Sequence, residues 1–149
     1  MEQLFAIAQK EGIKISYYNM PKPYLGMYLN DYGFPIIMLD HSLKDQPALH
    51  RCILAEEIGH HFTGIGQNIH YSAIVPFWKY KMIKCEFKAL KWSATNLIPY
   101  NKLLHAYYKE GLQEITELAE YFNVTPELME FRKNFIDPAH FRERTFSAK

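Results

Sequence analysis

The spacing of apolar residues changes at about residue 45, and this change limits the possible folds more than any other feature of the chain. Before it, three short segments have the alternation or the turn signals of β-strands. After it, strand-like alternation disappears and helical spacing takes over. We therefore predict an α+β fold, in which a small three-stranded antiparallel sheet is followed by a helical bundle.

Turn residues set the limits of the predicted elements. Gly12 ends a first amphipathic helix over 2–11, and the segment 30–33 forms a hairpin-type turn between the second and third strands. Pro21 and Pro23 interrupt the chain after the first strand. The predicted strands are 13–18, 24–29 and 34–39, the later helices are about 45–63, 79–97, 101–109, 115–122 and 126–135, and a loop covers about 64–75.

Length and composition exclude several classes of protein. The 149 residues, 48% of them hydrophobic, predict one domain over 1–149 with a real core. A net charge of +1 gives no reason to expect binding to nucleic acid or to a membrane surface, and no apolar run approaches the roughly 18 residues of a membrane span. Two cysteines, and a start unlike a signal peptide, predict a cytoplasmic protein with reduced thiols.

The sequence LAEEIGHH, which begins at residue 54, points to a specific chemistry. Residues four apart in a helix lie about 40° apart around its axis, so Glu56 projects with His60, and Glu57 with His61. Zinc enzymes use two ligands at i and i+4, with a carboxylate at i+1 as the general base. The first pair supplies Glu57 as that base, whereas the second pair supplies Ile58, which has no such chemistry. We therefore predict the first register.

The surroundings of Glu56 indicate that its carboxylate is not fully solvated. Its flanks on the helical projection are Leu49, Cys52 and Ile53, with His60 beside it. Burying a carboxylate without a partner costs several kcal/mol, so a cation is expected nearby. The alternative is an ordinary surface pair of Glu56 and His60 without a metal.

A second carboxylate lies on the apolar face of the next predicted helix. Glu86 is about 160° from the centre of a basic face and has mainly apolar neighbours. A metal held by the preceding helix would satisfy Glu56, His60 and Glu86 together. The alternative is a buried glutamate bonded to a backbone group or to a nearby histidine. The basic face consists of Lys81, Lys84, Lys88 and Lys91, and the neighbours of Glu86 are Met82, Ile83, Ala89, Leu90 and Ser93.

Two stretches, LAEEIGHHFTG and CEFKALKWSATNLIP, resemble the ImmA/IrrE family of metallopeptidases associated with phages and mobile elements. That family carries an HExxH helix and a downstream motif like E-x-x-A-x-x-[FW]-A-x-x-L-[IL]-x-P. The resemblance covers about 22–135 and implies a zincin-like fold. It also implies metal ligands at Glu56, His60 and Glu86, with Glu57 as the base. The matches to the second motif are Glu86, Ala89, Trp92, Leu97 and Pro99.

The resemblance also implies a reaction and a partner. It implies a metal-dependent endopeptidase that uses Zn²⁺ or another divalent metal and cleaves a partner protein, such as a helix-turn-helix repressor encoded nearby. The family's first ligand is usually His, whereas this chain has Glu56. Two carboxylates and a neutral imidazole cancel the charge of Zn²⁺, which weakens its Lewis acidity and relaxes the preference for zinc over manganese. A regulatory protein that keeps the fold and acts by contact is the main alternative function.

A third hypothesis is a DNA-binding regulator, because 115–135 has the look of a helix-turn-helix. Acidic residues outnumber basic ones on these two predicted helices, which disfavours contact with phosphates. We therefore predict a helical pair that packs on the core, and no nucleic-acid partner. The residues concerned are Glu114, Glu117 and Glu120 on the first helix, and Glu127, Glu130, Arg132 and Lys133 on the second.

Several other polar residues lie near the predicted site in sequence. Cys52 and Cys85 are predicted to be small buried helix residues rather than redox groups. His61 is a neighbour that could orient other groups of the site. His50, His70 and Tyr71 could each donate a hydrogen bond to an oxyanion, and the sequence does not rank them.

Overall fold

A computed structural model describes residues 1–63, 70–73 and 84–136, with only the backbone at 70–73 and 84–85. The predicted α+β class is confirmed. Residues 79–83 of the predicted second long helix, most of the predicted loop 64–75 and the tail after residue 136 lie outside the described residues. The elements are α1 (Glu2–Lys10), β1 (Lys14–Tyr18), β2 (Tyr24–Asp31), β3 (Phe34–Asp40), a 3-10 helix (His41–Asp45), α2 (Pro47–Thr63), β4 (His70–Ala73), α3 (Lys84–Leu97), α4 (Tyr100–Tyr108), α5 (Ile115–Phe122) and α6 (Pro126–Lys133).

The sheet is mixed and has the strand order β1-β3-β2-β4, so the prediction of a purely antiparallel, three-stranded sheet was wrong. β2 and β3 form the predicted antiparallel hairpin, whereas β1 pairs parallel to β3, from Lys14 opposite Ile36 to Tyr18 opposite Asp40. Pro21 and Pro23 prevent a tight hairpin between β1 and β2. The chain therefore reverses direction across a gap of two strand spacings, about 10 Å, and β3 fills the position between.

The fourth strand, β4, lies inside the segment predicted as a loop. It pairs antiparallel with β2, from Tyr24 opposite Ala73 to Tyr28 opposite His70, and the pairing shifts register between Tyr24 and Gly26. Four residues are too few to show a period, and their partner strand is more than forty residues earlier in the chain. The free hydrogen-bonding edge of β2 therefore decides the conformation of this segment, not a local pattern.

Helix α2 is the central element and lies between the sheet and α3. Nine of its seventeen residues are buried, including the polar side chains His50, Glu57 and His60. A helix covered on more than one side carries apolar residues around most of its circumference, which explains the lack of a single apolar stripe. Its Leu54 and Ile58 are fully buried, as are Ile37 and Leu39 of β3.

The last two helices, α5 and α6, contribute buried side chains to the core. α5 begins with a capping box between Glu114 and Glu117 and ends at Asn123, which takes the left-handed conformation with φ 49°. The two helices bury Leu118, Ala119, Phe122, Leu128 and Met129. They pack on the core as predicted. Across the described ranges, no helix is both long enough and apolar enough to cross a membrane.

Candidate metal centre

Helices α2 and α3 approach each other closely at Gly59 and Ala89. A Cβ atom on Gly59 would lie 2.5 Å from the backbone oxygen of Ala89 and 3.0 Å from its Cα. No side chain fits in that space, so the absence of one on Gly59 lets the two backbones touch. This contact sets where side chains on either side of the crossing meet.

The crossing brings Glu56, His60 and Glu86 together. Each residue offers one ligand atom, and these three atoms lie within 4.8 Å of one another. Nε2 of His60 is 3.2 Å from Oε2 of Glu86. The side chain of His60 is 1% exposed and that of Glu86 is 24% exposed, so the group lies at the edge of the core. The convergence predicted from the two helices is present.

The three donors fit a divalent cation. Ligand atoms that share one ion at about 2.0 to 2.2 Å lie at most about 4.4 Å apart, so a small rotamer change suffices from the observed spacing. Two carboxylates offset the double positive charge, and the imidazole supplies a nitrogen ligand. When bound there, a divalent metal supplies Lewis acidity to water and to a carbonyl oxygen.

The two alternatives to a metal have different outcomes. The alternative prediction of a surface pair of Glu56 and His60 is wrong, because His60 is buried and only 3% exposed. A buried Glu86 bonded to a histidine describes the observed contact of Glu86 with His60 as well as a metal site does. That alternative gives no reason for the third donor, Glu56, to lie within 4.8 Å of the other two, whereas a metal site does.

Glu57 is fully buried and lies against strand β2. A Cβ atom on Gly26 of that strand would lie 2.6 Å from Oε1 of Glu57 and 2.7 Å from Cγ2 of Ile53. Gly26 therefore leaves the space that the carboxylate occupies. The roles of Gly26 and Gly59 were not predicted from the sequence. The signal was available, since a glycine inside a strand or helix pattern often marks a close backbone approach.

His61 belongs to a different set of contacts from His60. Its Nδ1 is 2.9 Å from the hydroxyl oxygen of Tyr28, and its Nε2 is 3.6 Å from Oε2 of Glu11. Tyr28 is 4% exposed, and burial raises the pKa of its hydroxyl. The second register, Glu57 with His61, thus faces β2, and among the described residues it is not part of a group of three possible ligands.

Helix α3 carries Glu86 on the predicted apolar face. Its neighbours Ala89, Leu90 and Ser93 are buried, and Lys88 and Lys91 on the opposite face are exposed. Nζ of Lys91 lies 4.8 Å from the ring centroid of Phe135. The structure does not describe the other predicted members of these faces, which are Lys81, Met82, Ile83 and the side chain of Lys84.

His50 and Cys52 make other contacts and do not join the group. Nε2 of His50 is 3.0 Å from the Tyr17 hydroxyl, and burial lowers the pKa of the His50 ring. The backbone N–H of Thr125 donates to Sγ of Cys52 at 3.3 Å, and burial raises the pKa of that thiol to about 11. Cys52 is therefore a buried, unreactive thiol, as predicted. The side chains of His70, Tyr71 and Cys85 lie outside the described part of the chain.

Comparison with known families agrees with this geometry. The Peptidase M78 family, described as the IrrE N-terminal-like domain, matches residues 8–134, a range that includes Glu56, Glu57, His60 and Glu86. No curated protein matches the chain. The family supports a metallopeptidase-type function, and the converging carboxylates and imidazole provide a candidate site for its metal. The chain belongs to the IrrE N-terminal-like domain family, Peptidase M78.

Proposed function

We propose that the protein is a zinc-dependent endopeptidase that cleaves a partner protein. Glu56, His60 and Glu86 hold the metal, and Glu57 is the general base. The observation that carries the proposal is the convergence of three donor side chains at the crossing of α2 and α3. The family match adds independent support for a metallopeptidase.

In the proposed reaction, Glu57 acts first as a general base and then as a general acid. Its carboxylate removes a proton from the attacking water while the water oxygen bonds to the peptide carbonyl carbon. It then gives that proton to the amine nitrogen as the C–N bond breaks, so the products are a carboxylic acid and an amine; the acid then passes its remaining proton to the amine or to solvent. The close fit of Glu57 against Gly26 supports this role, because it restricts the position of a carboxylate that is on the same helix as Glu56 and His60.

The identity of the metal, the partner and the compartment are parts of the same proposal. Zinc is proposed because imidazole and carboxylates are its usual ligands in peptidases, although two oxygen donors also suit manganese. A helix-turn-helix repressor is the proposed substrate, on the family resemblance of the two motifs. A cytoplasmic location is supported by Cys52, which is a free thiol.

A regulator that acts by contact is the second candidate. The observation that favours it is Glu56, since a carboxylate in place of the family's usual His leaves the bound metal less positive. Such a centre polarises a carbonyl less, and the fold could act without cleaving.

Replacing Glu57 with glutamine separates the two candidates. Glu57→Gln keeps the shape of the side chain and removes the base, so metal content and circular dichroism are expected to match the parent. Cleavage of the proposed substrate, a helix-turn-helix repressor, is expected to fall by about 10² or more, which is a typical contribution of a positioned general base. Metal is measured by mass spectrometry and cleavage by gel and peptide mapping.

Glu120→Gln is the matched control, because Glu120 is exposed on α5 and lies outside the group. It should leave cleavage unchanged. A Glu57→Gln protein that acts on the repressor as strongly as the parent would show that the protein works by contact.

A further inference from the structure

A groove of about 790 Å³ lies where α2, α4 and α5 meet. None of the three donors of the metal group lines it. Its polar lining includes Arg51, Lys102 and His105 together with the amides of Asn96, Asn101 and Asn123. The volume falls within the range of about 300 to 1,000 Å³ that is typical of ligand sites in proteins.

Arg51 is the fixed cation of this groove. Its Nη1 donates to the backbone oxygens of Phe122 and Asn123, the latter at 3.2 Å. The left-handed conformation of Asn123 ends α5, and both carbonyls belong to this helix end. Arg51 is half-buried, and burial lowers the pKa of its guanidinium. Among the residues that the structure describes, no carboxylate forms an ion pair with it.

Helix α4 adds a second cation that has no counter-ion. Lys102 is exposed and forms no ion pair with any described residue. His105 lies on the same side of the helix, with Nε2 3.1 Å from Oε1 of Glu110, so a carboxylate already faces that ring. No Asp or Glu occurs among the described residues that line the groove. The groove therefore has an excess of positive charge, although the whole chain has a net charge of only +1.

The rest of the lining suits a peptide better than a phosphate backbone. Leu97, Pro99 and Phe122 provide apolar surface, and the amides provide donors and acceptors for a main chain. Nucleic acid is held by many cations along a track, whereas the described lining of this groove has two cationic side chains, Arg51 and Lys102, without a carboxylate partner. In a peptide whose carboxylate side chains alternate with apolar ones, the carboxylates would pair with the cations of the groove and the apolar side chains would pack on its apolar lining.

We propose that this groove binds an acidic peptide segment, in which Asp or Glu side chains alternate with apolar ones. Arg51 and Lys102 receive the carboxylates, and the apolar residues of the segment pack on Leu97 and Phe122. Arg51 precedes Glu56 by five residues, which is about 7.5 Å along α2 and about 140° around it. The assignment of the segment to the peptidase substrate rests on the proposed function, whereas binding to the groove does not.

Peptide binding to the full chain tests the groove directly. The probe is a fluorescein-labelled octapeptide of alternating Glu and Leu, and binding is followed by fluorescence anisotropy on the Glu57→Gln protein, so that no cleavage is required. We expect saturable binding that weakens at least tenfold in 0.5 M salt. The same peptide with Gln in place of Glu should bind at least tenfold more weakly.

Two charge reversals locate the site. Lys102→Glu should weaken binding about tenfold or more, whereas Lys88→Glu, on the exposed face of α3, should change it less than twofold. Arg51→Lys is a third variant, which keeps the charge but loses the fork of donors, and a smaller loss is expected. Arg51 is not truncated, because its contacts with Phe122 and Asn123 join α2 to α5.

Several results would overturn the proposal. These are no saturable binding, equal losses in the Lys102 and Lys88 variants, equal affinity for the Gln peptide, displacement by 1 mM inorganic phosphate, and tighter binding of a 20-nucleotide single strand than of the peptide. The assay does not use cleavage, so a failure here leaves the peptidase proposal standing. A failure of the repressor assay likewise leaves the groove standing.

Discussion

The last turns of α2 present two polar pairs of identical spacing to two different neighbours. Glu56 and His60 face α3, where their ligand atoms gather with that of Glu86 within 4.8 Å. Glu57 and His61 face β2, where the carboxylate lies over Gly26 and the imidazole contacts the Tyr28 hydroxyl. The spacing i, i+4 brings two side chains to one face, but the neighbouring element decides whether they form a common site or separate contacts.

Each side depends on one glycine, and the two glycines face different obstacles. A Cβ on Gly59 would meet the backbone of Ala89, which moves only if the whole helix moves. A Cβ on Gly26 would meet the carboxylate of Glu57 and a methyl of Ile53, which are the ends of side chains. Changes at the two positions should therefore separate the placement of the metal ligands from the placement of the base.

The largest effect is expected from Gly59→Ala. The added methyl must push α3 away from α2, because its nearest neighbour would be a backbone oxygen at 2.5 Å. Overpacking of this kind typically destabilises by about 1 to 3 kcal/mol. Displacement of Glu86 from His60 should weaken metal affinity by about 100-fold, measured by competition with a chromophoric chelator. Metal affinity close to that of the parent would show that the crossing does not position the ligands.

Gly26→Ala should reduce activity without removing the metal. The methyl would take the place of Oε1 of Glu57, so the carboxylate must rotate away while Glu56, His60 and Glu86 stay in position. We expect cleavage to fall by about 10- to 100-fold, with unchanged metal content and a loss of stability below about 2 kcal/mol. If metal is lost together with activity, the two sides of α2 are not independent.

Glu56→His changes only the proposed ligand group on the α3 side. The centre regains about one positive charge and gains a second nitrogen donor, which favours zinc over harder cations. We expect zinc affinity to rise about tenfold relative to manganese, and peptidase activity at neutral pH to be equal or higher. Isothermal titration with each metal measures the first effect. A folded, zinc-loaded variant with clearly lower activity would show that Glu56 is adapted to its role.

Tyr28→Phe should have the smallest effect, and only on the β2 side. It removes the hydroxyl that lies 2.9 Å from Nδ1 of His61, a contact worth about 1 kcal/mol. Urea unfolding should show that loss in the free energy of unfolding, with metal content unchanged. A drop in metal affinity would mean that contacts with β2 also hold the ligand side of the helix.

Local patterns were sufficient for the helices and for placing Glu56 and His60 on one face of α2. Glu56 and His60 share a face because of helical geometry, and Glu86 lies among Ala89, Leu90 and Ser93 because of the apolar stripe of α3. The topology of the sheet was harder to predict from the sequence. The parallel position of β1 and the existence of β4 depend on which strand edges remain free, and no local period encodes that.

The sequence by itself determined the fold class, the pair of donors on α2 and the carboxylate on the apolar face of α3, because each follows from the spacing of residues within one element. Only the tertiary structure decided that Glu86 contacts His60 and that the carboxylate of Glu57 packs against β2. It also decided that Arg51 and Lys102 line the same groove. These depend on how closely two elements approach. In the first two cases a missing Cβ, at Gly59 or at Gly26, permits the close approach, and its effect appears only when the partner backbone or side chain is in place.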